Sequence, residues 1–577
     1  MATRWIIEGK IDPRWPINTR GNIGEVFPEV LTALGYQLGV LPAERAWREA
    51  YDDLGIHHKG DFSTDDPTII GLYGGYAYLN LSYLRMMGVR APGSSPEAID
   101  VAFFGEGKPP PYEPRKGDRR VGSSLKILRT VLEALGTKET PPLVADSFEK
   151  AERYKKRRPS LGAPDDDLVD YLMEFPEAFS GLFANHMKTT AIAAIVSGIL
   201  SDAATAAGEP GLVTHLIGAS GNVRSAQYSQ ELSAIASIVR RSSSLTAAFK
   251  DGVEDLLDRL PDDEDGRAFS AGFGEFSAKH GHRGPNDWEL SSRTWDNTPE
   301  LALGAIDRMR LAEHDLSPST RLGKDDAKRQ AAINRVRPHL NFLDKVRFDK
   351  ALEAIPFWSQ AREATRDRAV RGAMPAKQVY RELVRRAAER GGDPDPVKIA
   401  LLFPDTELRD YMADPVSKLD VIAERAALFA RYSAIEPRFF ITSQTQVPTL
   451  EQLEAAASAA ETTPRAALGD VLTGDAGCSG VARGRARIVV DPSDAMALQP
   501  GDVLVAPLTD PSWTPLFLPA AAVVVNVGAL MSHAVIVSRE LGIPCVVAVE
   551  GATDKLVDGT LVEVDGTAGT VTIIEEV

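Results

Sequence analysis

Apolar positions follow two different rhythms along this 577-residue chain. From about residue 122 they recur every three or four residues, the spacing of a helix face. Leu125, Leu128, Val131, Leu132 and Leu135 share one such face. Ala184 to Ala204 is mostly apolar, which predicts a helix buried inside a bundle. Ser229 to Phe249 and Arg335 to Arg390 mix apolar and charged positions, with Pro338, Pro356 and Pro375 as breaks or first-turn residues. The first 120 residues read as irregular and rich in turns, broken by Pro13, Pro16, Gly21 and Gly24.

Near residue 463 the texture changes. Short β-rich runs follow: Ala486 to Val490, Val503 to Val505, Ala521 to Val527, Cys545 to Val549, Leu561 to Val564 and Thr570 to Ile574. Ala521 to Val525 is apolar throughout, as a strand buried on both faces should be. The expected fold is multidomain. A large, mainly α-helical N-terminal body (1–462) is joined through a hinge (463–476) to a small C-terminal α/β domain of β/β/α type (477–577).

One segment of the tail carries chemistry. Gly528 to Ser532 precedes His533, and Ala534 to Leu541 predicts a helix stopped by Gly542 with Pro544 beyond. His533 then sits at the positive end of a helix dipole, beside backbone N–H groups that favour a phosphate. A neutral imidazole in that position is a nucleophile able to carry a phosphoryl group.

Composition narrows the class. The chain is 44% hydrophobic and 25% charged, as globular proteins are, with 65 basic and 81 acidic residues and a formal charge of −16. That balance argues against a nucleic-acid partner. Two cysteines, Cys478 and Cys545, form neither a zinc site nor a disulfide scaffold, and no metal ligand set is expected. The start, Met1 to Trp5, has no secretory pattern, and the best apolar run, Thr189 to Leu200, is too short to span a bilayer. A cytoplasmic protein without a membrane partner is expected.

A second patch, His280-Gly281-His282-Arg283-Gly284-Pro285-Asn286-Asp287-Trp288-Glu289, puts cations and carboxylates in a glycine-flanked turn. Arg283 either grips a phosphoryl oxygen with its fork of donors or pairs with Glu289. His280 and His282 are either proton acceptors or structural caps. Arg362 and Arg366, four apart, share a helix face, which is either a solvated basic face or a pair of phosphate contacts.

The tail resembles the phosphohistidine swivelling domain of the phosphoenolpyruvate-utilising enzymes, which include rifampicin phosphotransferase and phenylphosphate synthase. The similarity runs through Gly480 to Gly484, Pro500 to Val505, Thr509-Asp510-Pro511-Ser512-Trp513-Thr514, the His533 segment, and Val564-Asp565-Gly566. Met531 departs from the family's usual Thr, Ser or Asn, so a regulatory phosphorylation there is not expected. The resemblance implies that His533 is transiently phosphorylated, with Ser532, Arg539 and Thr509 supporting the phosphate. Thr19 to Thr32, including Arg20, together with the His280 to Glu289 patch and Arg362/Arg366, resembles the family's acceptor domain. An acceptor site with His280, His282, Arg283, Glu289, Arg362, Arg366 and Arg20 is therefore expected. The family's ATP-grasp domain is not visible, and the sequence has no Gly-x-x-x-x-Gly-Lys-Ser/Thr loop. The resemblance then implies a separate ATP-grasp subunit that binds ATP and Mg²⁺ and loads His533, and a small-molecule hydroxyl as acceptor. The competing class is a non-catalytic phosphocarrier or regulatory binding protein.

Overall fold

The structure is a computed structural model that describes residues 9–58, 60–62, 67–91, 95–97, 99–100, 110–217, 224–311, 319–435, 437–442, 449–460, 464–490, 498–509, 513–528 and 532–575. It divides as its two textures require. A helical body is built around helices α1 (Leu41–Leu54), α2 (Val121–Leu135), α3 (Phe175–Ala206), α4 (Arg224–Arg241), α5 (Glu264–His280), α6 (Phe342–Gly372) and α7 (Met374–Glu389). Helix α3 is central and packs on α1, α2 and α6. By length and composition alone it could cross a membrane, but Leu182, Val196 and Leu200 lie in the main apolar core with Phe348, Ile355 and Trp358 of α6.

Three expectations change here. The first 120 residues are not irregular: they hold α1 and most of a four-stranded sheet. Strands β1 (Asn18–Thr19), β2 (Ile70–Tyr73) and β3 (Tyr76–Asn80) join a distant β4 (Phe440–Ile441) in the order β2-β3-β1-β4. Gly74 and Gly75, both at positive φ, make the tight β2–β3 hairpin. The leucine stripe of α2 is split between two environments: Leu125, Leu128 and Leu132 point outward, while Val131 and Leu135 pack on the core. Val121, Leu125 and Leu132 are 80%, 63% and 63% exposed, while Ile127, Ala134 and Leu135 face the core. The run from Ser229 to Phe249 is two helices, because the Ser242 side chain accepts from Leu245 N and starts a new helix.

The C-terminal domain is an eight-stranded sheet, β5 (Val471–Thr473), β6 (Asp475–Cys478), β7 (Val481–Ile488), β8 (Val503–Ala506), β9 (Ala522–Val525), β10 (Cys545–Val547), β11 (Leu561–Asp565) and β12 (Thr570–Glu575), ordered β5-β12-β11-β7-β8-β9-β10-β6. The β7-β8-β9-β10 pairings are parallel, and β8, β9 and β10 are fully buried. Alternation sorts their side chains. Val503, Val505, Ala522 and Val524 face the domain's own core. Leu504, Ala506, Val523 and Val525 face the other way, into a cluster shared with Leu232, Phe276 and Trp295 of the body. The expected hinge is also shorter. Residues 471–473 and 475–476 are strands of this sheet, which leaves 464–470 without regular structure; Thr463 lies outside the described residues.

Candidate active site

Two short helices of the C-terminal domain, α8 (Thr514–Phe517) and α9 (His533–Leu541), place the histidine. Ser532 is the extended N-cap of α9 and Gly542 closes it at φ 65°. His533 is therefore the first helical residue. Its Nδ1 lies 3.0 Å from Thr509 Oγ1 and its Nε2 lies 3.2 Å from Thr514 Oγ1. The Phe517 ring meets it edge-on at 5.6 Å. The Ser532 hydroxyl is buried and has no hydrogen-bond partner among the described residues. A buried donor left open at the start of a helix, next to a nucleophilic nitrogen, fits a phosphoryl group.

The body closes over this histidine. The carboxylate Oε2 of Glu25 accepts from the His533 N–H at 3.2 Å, so the helix N-terminus faces an anion belonging to the body. Tyr228 on α4 donates to Thr514 Oγ1 at 2.8 Å. A shallow cleft lies beside Glu25, lined among others by Arg20, Phe439, Leu508, Val527 and Gly528. The His533 pKa falls to about 3: burial is the largest cause, the charges of Arg366 and Arg283 add to it, and Asp287 opposes. Those three residues belong to the body, so the histidine is docked against the cationic patch and is neutral at pH 7.

The patch itself is a closed network. Arg283 Nη1 donates to Asp287 Oδ2 at 2.9 Å, and its Nη2 stands 3.6 Å from Asp367 Oδ1. His282 Nε2 is 3.0 Å from the same Asp367 oxygen, and Arg366 Nη2 reaches Asp287 at 3.3 Å. Burial pushes the Asp367 carboxyl up, but the His282 hydrogen bond and the Arg283 charge outweigh it and hold it far below the usual range. Burial lowers His282 to about 4 against the opposing pull of Asp367. A neutral His282 that donates from Nε2 to the carboxylate keeps a lone pair on Nδ1.

Several expected residues do other work. Arg283 does not pair with Glu289, which accepts instead from Thr32 and Ser291. Arg20 is buried and donates to the carbonyls of Phe27, Ala77 and Pro28, so it shapes the cleft wall from behind. Arg539 donates to Gly477 O. On α9 it stands six residues beyond His533, about 9 Å in helix rise. His280 faces Glu231 at 3.4 Å and packs on Phe276. Arg362 stands 3.9 Å from Glu363 and is about one-third exposed. Ala529 to Met531 and Asp510 to Ser512 lie outside the described residues. The structure adds Glu25, Tyr228, Thr514 and Asp367. Thr514 is signalled by its place in the Thr509 to Thr514 run; nothing local marks Tyr228 or Asp367. Among the described residues no three His, Cys, Asp or Glu side chains converge as a metal site.

Comparison with known proteins agrees with this geometry. Residues 185–368 match the rifampicin phosphotransferase fourth domain, and residues 498–569 match the mobile domain of PEP-utilising enzymes. The prodigiosin synthesizing transferase PigC of Serratia marcescens is 27% identical over 96% of this chain and 63% of its own length. An uncharacterized protein of Mycobacterium tuberculosis is 35% identical over 51% of this chain and 30% of its own. The rifampicin phosphotransferase of Bacillus subtilis is 28% identical over 56% and 36%. The chain thus spans between 30% and 63% of the length of these relatives. With His533 on its helix start and the helical patch opposite, the C-terminal unit matches the mobile domain of PEP-utilising enzymes, and it is set against a helical region that matches the rifampicin phosphotransferase fourth domain.

Proposed function

We propose that this chain is a phosphotransferase that works through a phosphohistidine. The observation that carries the reading is His533 itself: neutral, first in its helix, held by two hydroxyls, and facing Arg283 and Arg366 of the body. In loading, the Nε2 lone pair attacks a phosphorus of ATP, an N–P bond forms and a P–O bond breaks. The family resemblance implies attack at the β-phosphorus: AMP leaves in that step, and water then cleaves the second P–O bond, releasing the γ-phosphate as inorganic phosphate and leaving one phosphoryl group on Nε2. ATP and its Mg²⁺ are assigned to a separate ATP-grasp partner; Mg²⁺ there would neutralise phosphate charge.

In delivery, an acceptor hydroxyl in the cleft beside Glu25 attacks the phosphorus. The O–P bond forms, the N–P bond breaks with its electron pair returning to Nε2, and the hydroxyl proton passes to His282 Nδ1. Arg283 and Arg366 stabilise charge on the transferring group. The docked carrier covers the site and excludes water, which protects the phosphohistidine from hydrolysis. The names of the relatives point to rifampicin in one case and prodigiosin synthesis in another, so acceptor choice is assigned to the body rather than to the carrier. Labelled ATP tests the proposal. With an ATP-grasp partner the chain should gain one acid-labile, base-stable phosphoryl group, and His533→Ala should abolish it while His280→Ala and His282→Ala retain it. Label that persists in His533→Ala refutes the assignment.

A further inference from the structure

The Thr19 to Thr32 segment projects Glu25 into the interface with the carrier. Glu25 sits in a single helical turn, Ile23–Val26, entered through Asn22 at φ 61°. Arg20 clamps the far side of that turn by donating to the carbonyls of Phe27 and Pro28. The Gly24 N–H bonds back to Arg20 O at 2.8 Å, and a Cβ on Gly24 would stand 3.5 Å from Leu508 of the carrier. The turn is thus tied at both ends and lies close against the carrier, with Glu25 Oε2 at 3.2 Å from His533 N. The first N–H groups of a helix have no partner within it; here a carboxylate of the body takes one of them. On the other side of the histidine, Thr514 Oγ1 stands 3.2 Å from Nε2, where an N–P bond would form. This docked arrangement is therefore that of the discharged histidine.

We propose that Glu25 makes docking depend on the phosphorylation state of His533: it binds the discharged carrier and opposes the loaded one. This rests on the phosphohistidine reading above and adds a driving force to delivery. A carboxylate at the positive end of α9 is stabilised. A phosphoryl group on His533 brings further negative charge toward the same N–H groups and toward the Ser532 hydroxyl, which is buried and has no partner among the described residues. Carboxylate and phosphoryl group then compete for one anion position and repel each other. The clamped turn keeps the carboxylate close. Arg283 and Arg366 act in the opposite sense and attract the loaded group, so Glu25 sets the balance between loaded and discharged docking. Linkage fixes the consequence. The factor by which Glu25 favours docking of the discharged carrier is the factor by which it favours loss of the phosphoryl group from the docked histidine. Delivery is pulled forward by a residue that takes no part in the bond changes.

Single-molecule energy transfer tests this. Dyes on Leu343→Cys of the body and Val490→Cys of the carrier, both exposed positions, read the docked fraction; the native Cys478 and Cys545 are buried. Phosphoramidate, which passes its phosphoryl group to imidazole and releases ammonia, loads His533 without the partner, and His533→Ala corrects for label elsewhere. The quantity read is the docking constant of loaded protein divided by that of unloaded protein. Glu25→Gln keeps the shape and an acceptor oxygen and removes the charge. The ratio should rise about 10- to 100-fold in Glu25→Gln, the scale of one partly screened like-charge contact. Glu25→Asp, which keeps the charge, should stay near the wild-type ratio. Without loading, Glu25→Gln should dock about two- to fivefold more weakly, the scale of a charge at a helix end, and that difference should vanish in high salt. A residue that only packs would shift both docking constants alike and leave the ratio unchanged. A Glu25→Gln ratio within about twofold of wild type overturns the proposal. If His533 takes no phosphoryl group, the phosphohistidine reading fails and the coupling fails with it. The unloaded protein then judges the contact by itself, and Glu25→Gln docking as tightly as wild type overturns that as well.

Discussion

Asp367 holds the acceptor patch together, because a single carboxylate faces both His282 and Arg283 in the interior. Removing one member of a buried charge network strands the others without partners, at a cost of about 3–5 kcal/mol. Asp367→Ala should therefore lower stability by that amount in chemical denaturation, well beyond any loss from Arg362→Ala at the surface. Arg283→Ala should leave loading of His533 intact and slow discharge by about 100- to 1,000-fold, as expected for a contact made only in the transition state. A variant that discharges at the wild-type rate would leave Arg283 a structural partner of Asp287. His533 also makes docking depend on pH. An imidazole in solvent titrates near 6.5, whereas docked His533 titrates at about 3. Only the undocked ring takes a proton between those values, so docking is fully favoured above pH 6.5 and weakens as pH falls toward 3. A histidine titration by NMR, alongside small-angle scattering, should find the carrier released on acidification. A scattering profile constant from pH 7 to 4.5 would refute it.

At the scale of the element, α2 separates pattern from environment. Its leucines recur at helical spacing, yet Leu125 and Leu132 are exposed and Ile127 is buried. Leu125→Ser should change stability by less than about 0.5 kcal/mol, while Ile127→Ala should cost about 2–5 kcal/mol. Thermal denaturation of the two variants checks the assignment, and the reverse ranking would mean the helix is rotated. The connection between body and carrier is a second case. Residues 464–470 are mostly exposed and lack regular structure. They are tied to the carrier itself, through Ala466 N to Lys555 O and Gly469 N to Ile573 O. These residues are therefore built into the C-terminal domain.

At the scale of the molecule, the arrangement is the one proposed for delivery, with the C-terminal domain docked on the body. Apolar residues of α4 and α5 form one cluster with the sheet face behind His533, and Glu25 and Tyr228 bond across the same interface. An interface of this kind can open only if another station offsets its loss, which the proposed nucleotide-binding partner would do. A Cβ on Gly24 would stand 3.5 Å from Leu508 Cδ2, so Gly24→Cys with Leu508→Cys should lock the carrier on the body when oxidised. The locked protein should lose loading, keep single-turnover discharge if loaded beforehand, and recover loading on reduction. Loading at full rate in the oxidised protein would end the swivelling mechanism.

Local sequence determined what depends on near neighbours. The alternation and apolar runs after residue 480 set strands β7 to β12, and Gly542 with Pro544 set the end of α9. The position of His533 at a helix start followed from the same run of residues. β1 is two polar residues whose strand character comes from partners 62 and more than 400 positions away from Asn18, Asn80 and Ile441. No local period encodes such pairing, so the N-terminal sheet could not be read. The partners of Arg283 and the outward turn of α2 depend on which surfaces meet, which is set by total burial rather than spacing. Tyr228 reaches His533 only because α4 of the body lies against α8 of the carrier, 286 positions away along the chain. The sequence alone singled out the imidazole nitrogen proposed to react and the local fold that presents it. Only the tertiary structure decided what faces that atom, because contacts of such long separation depend on the packing of the whole chain.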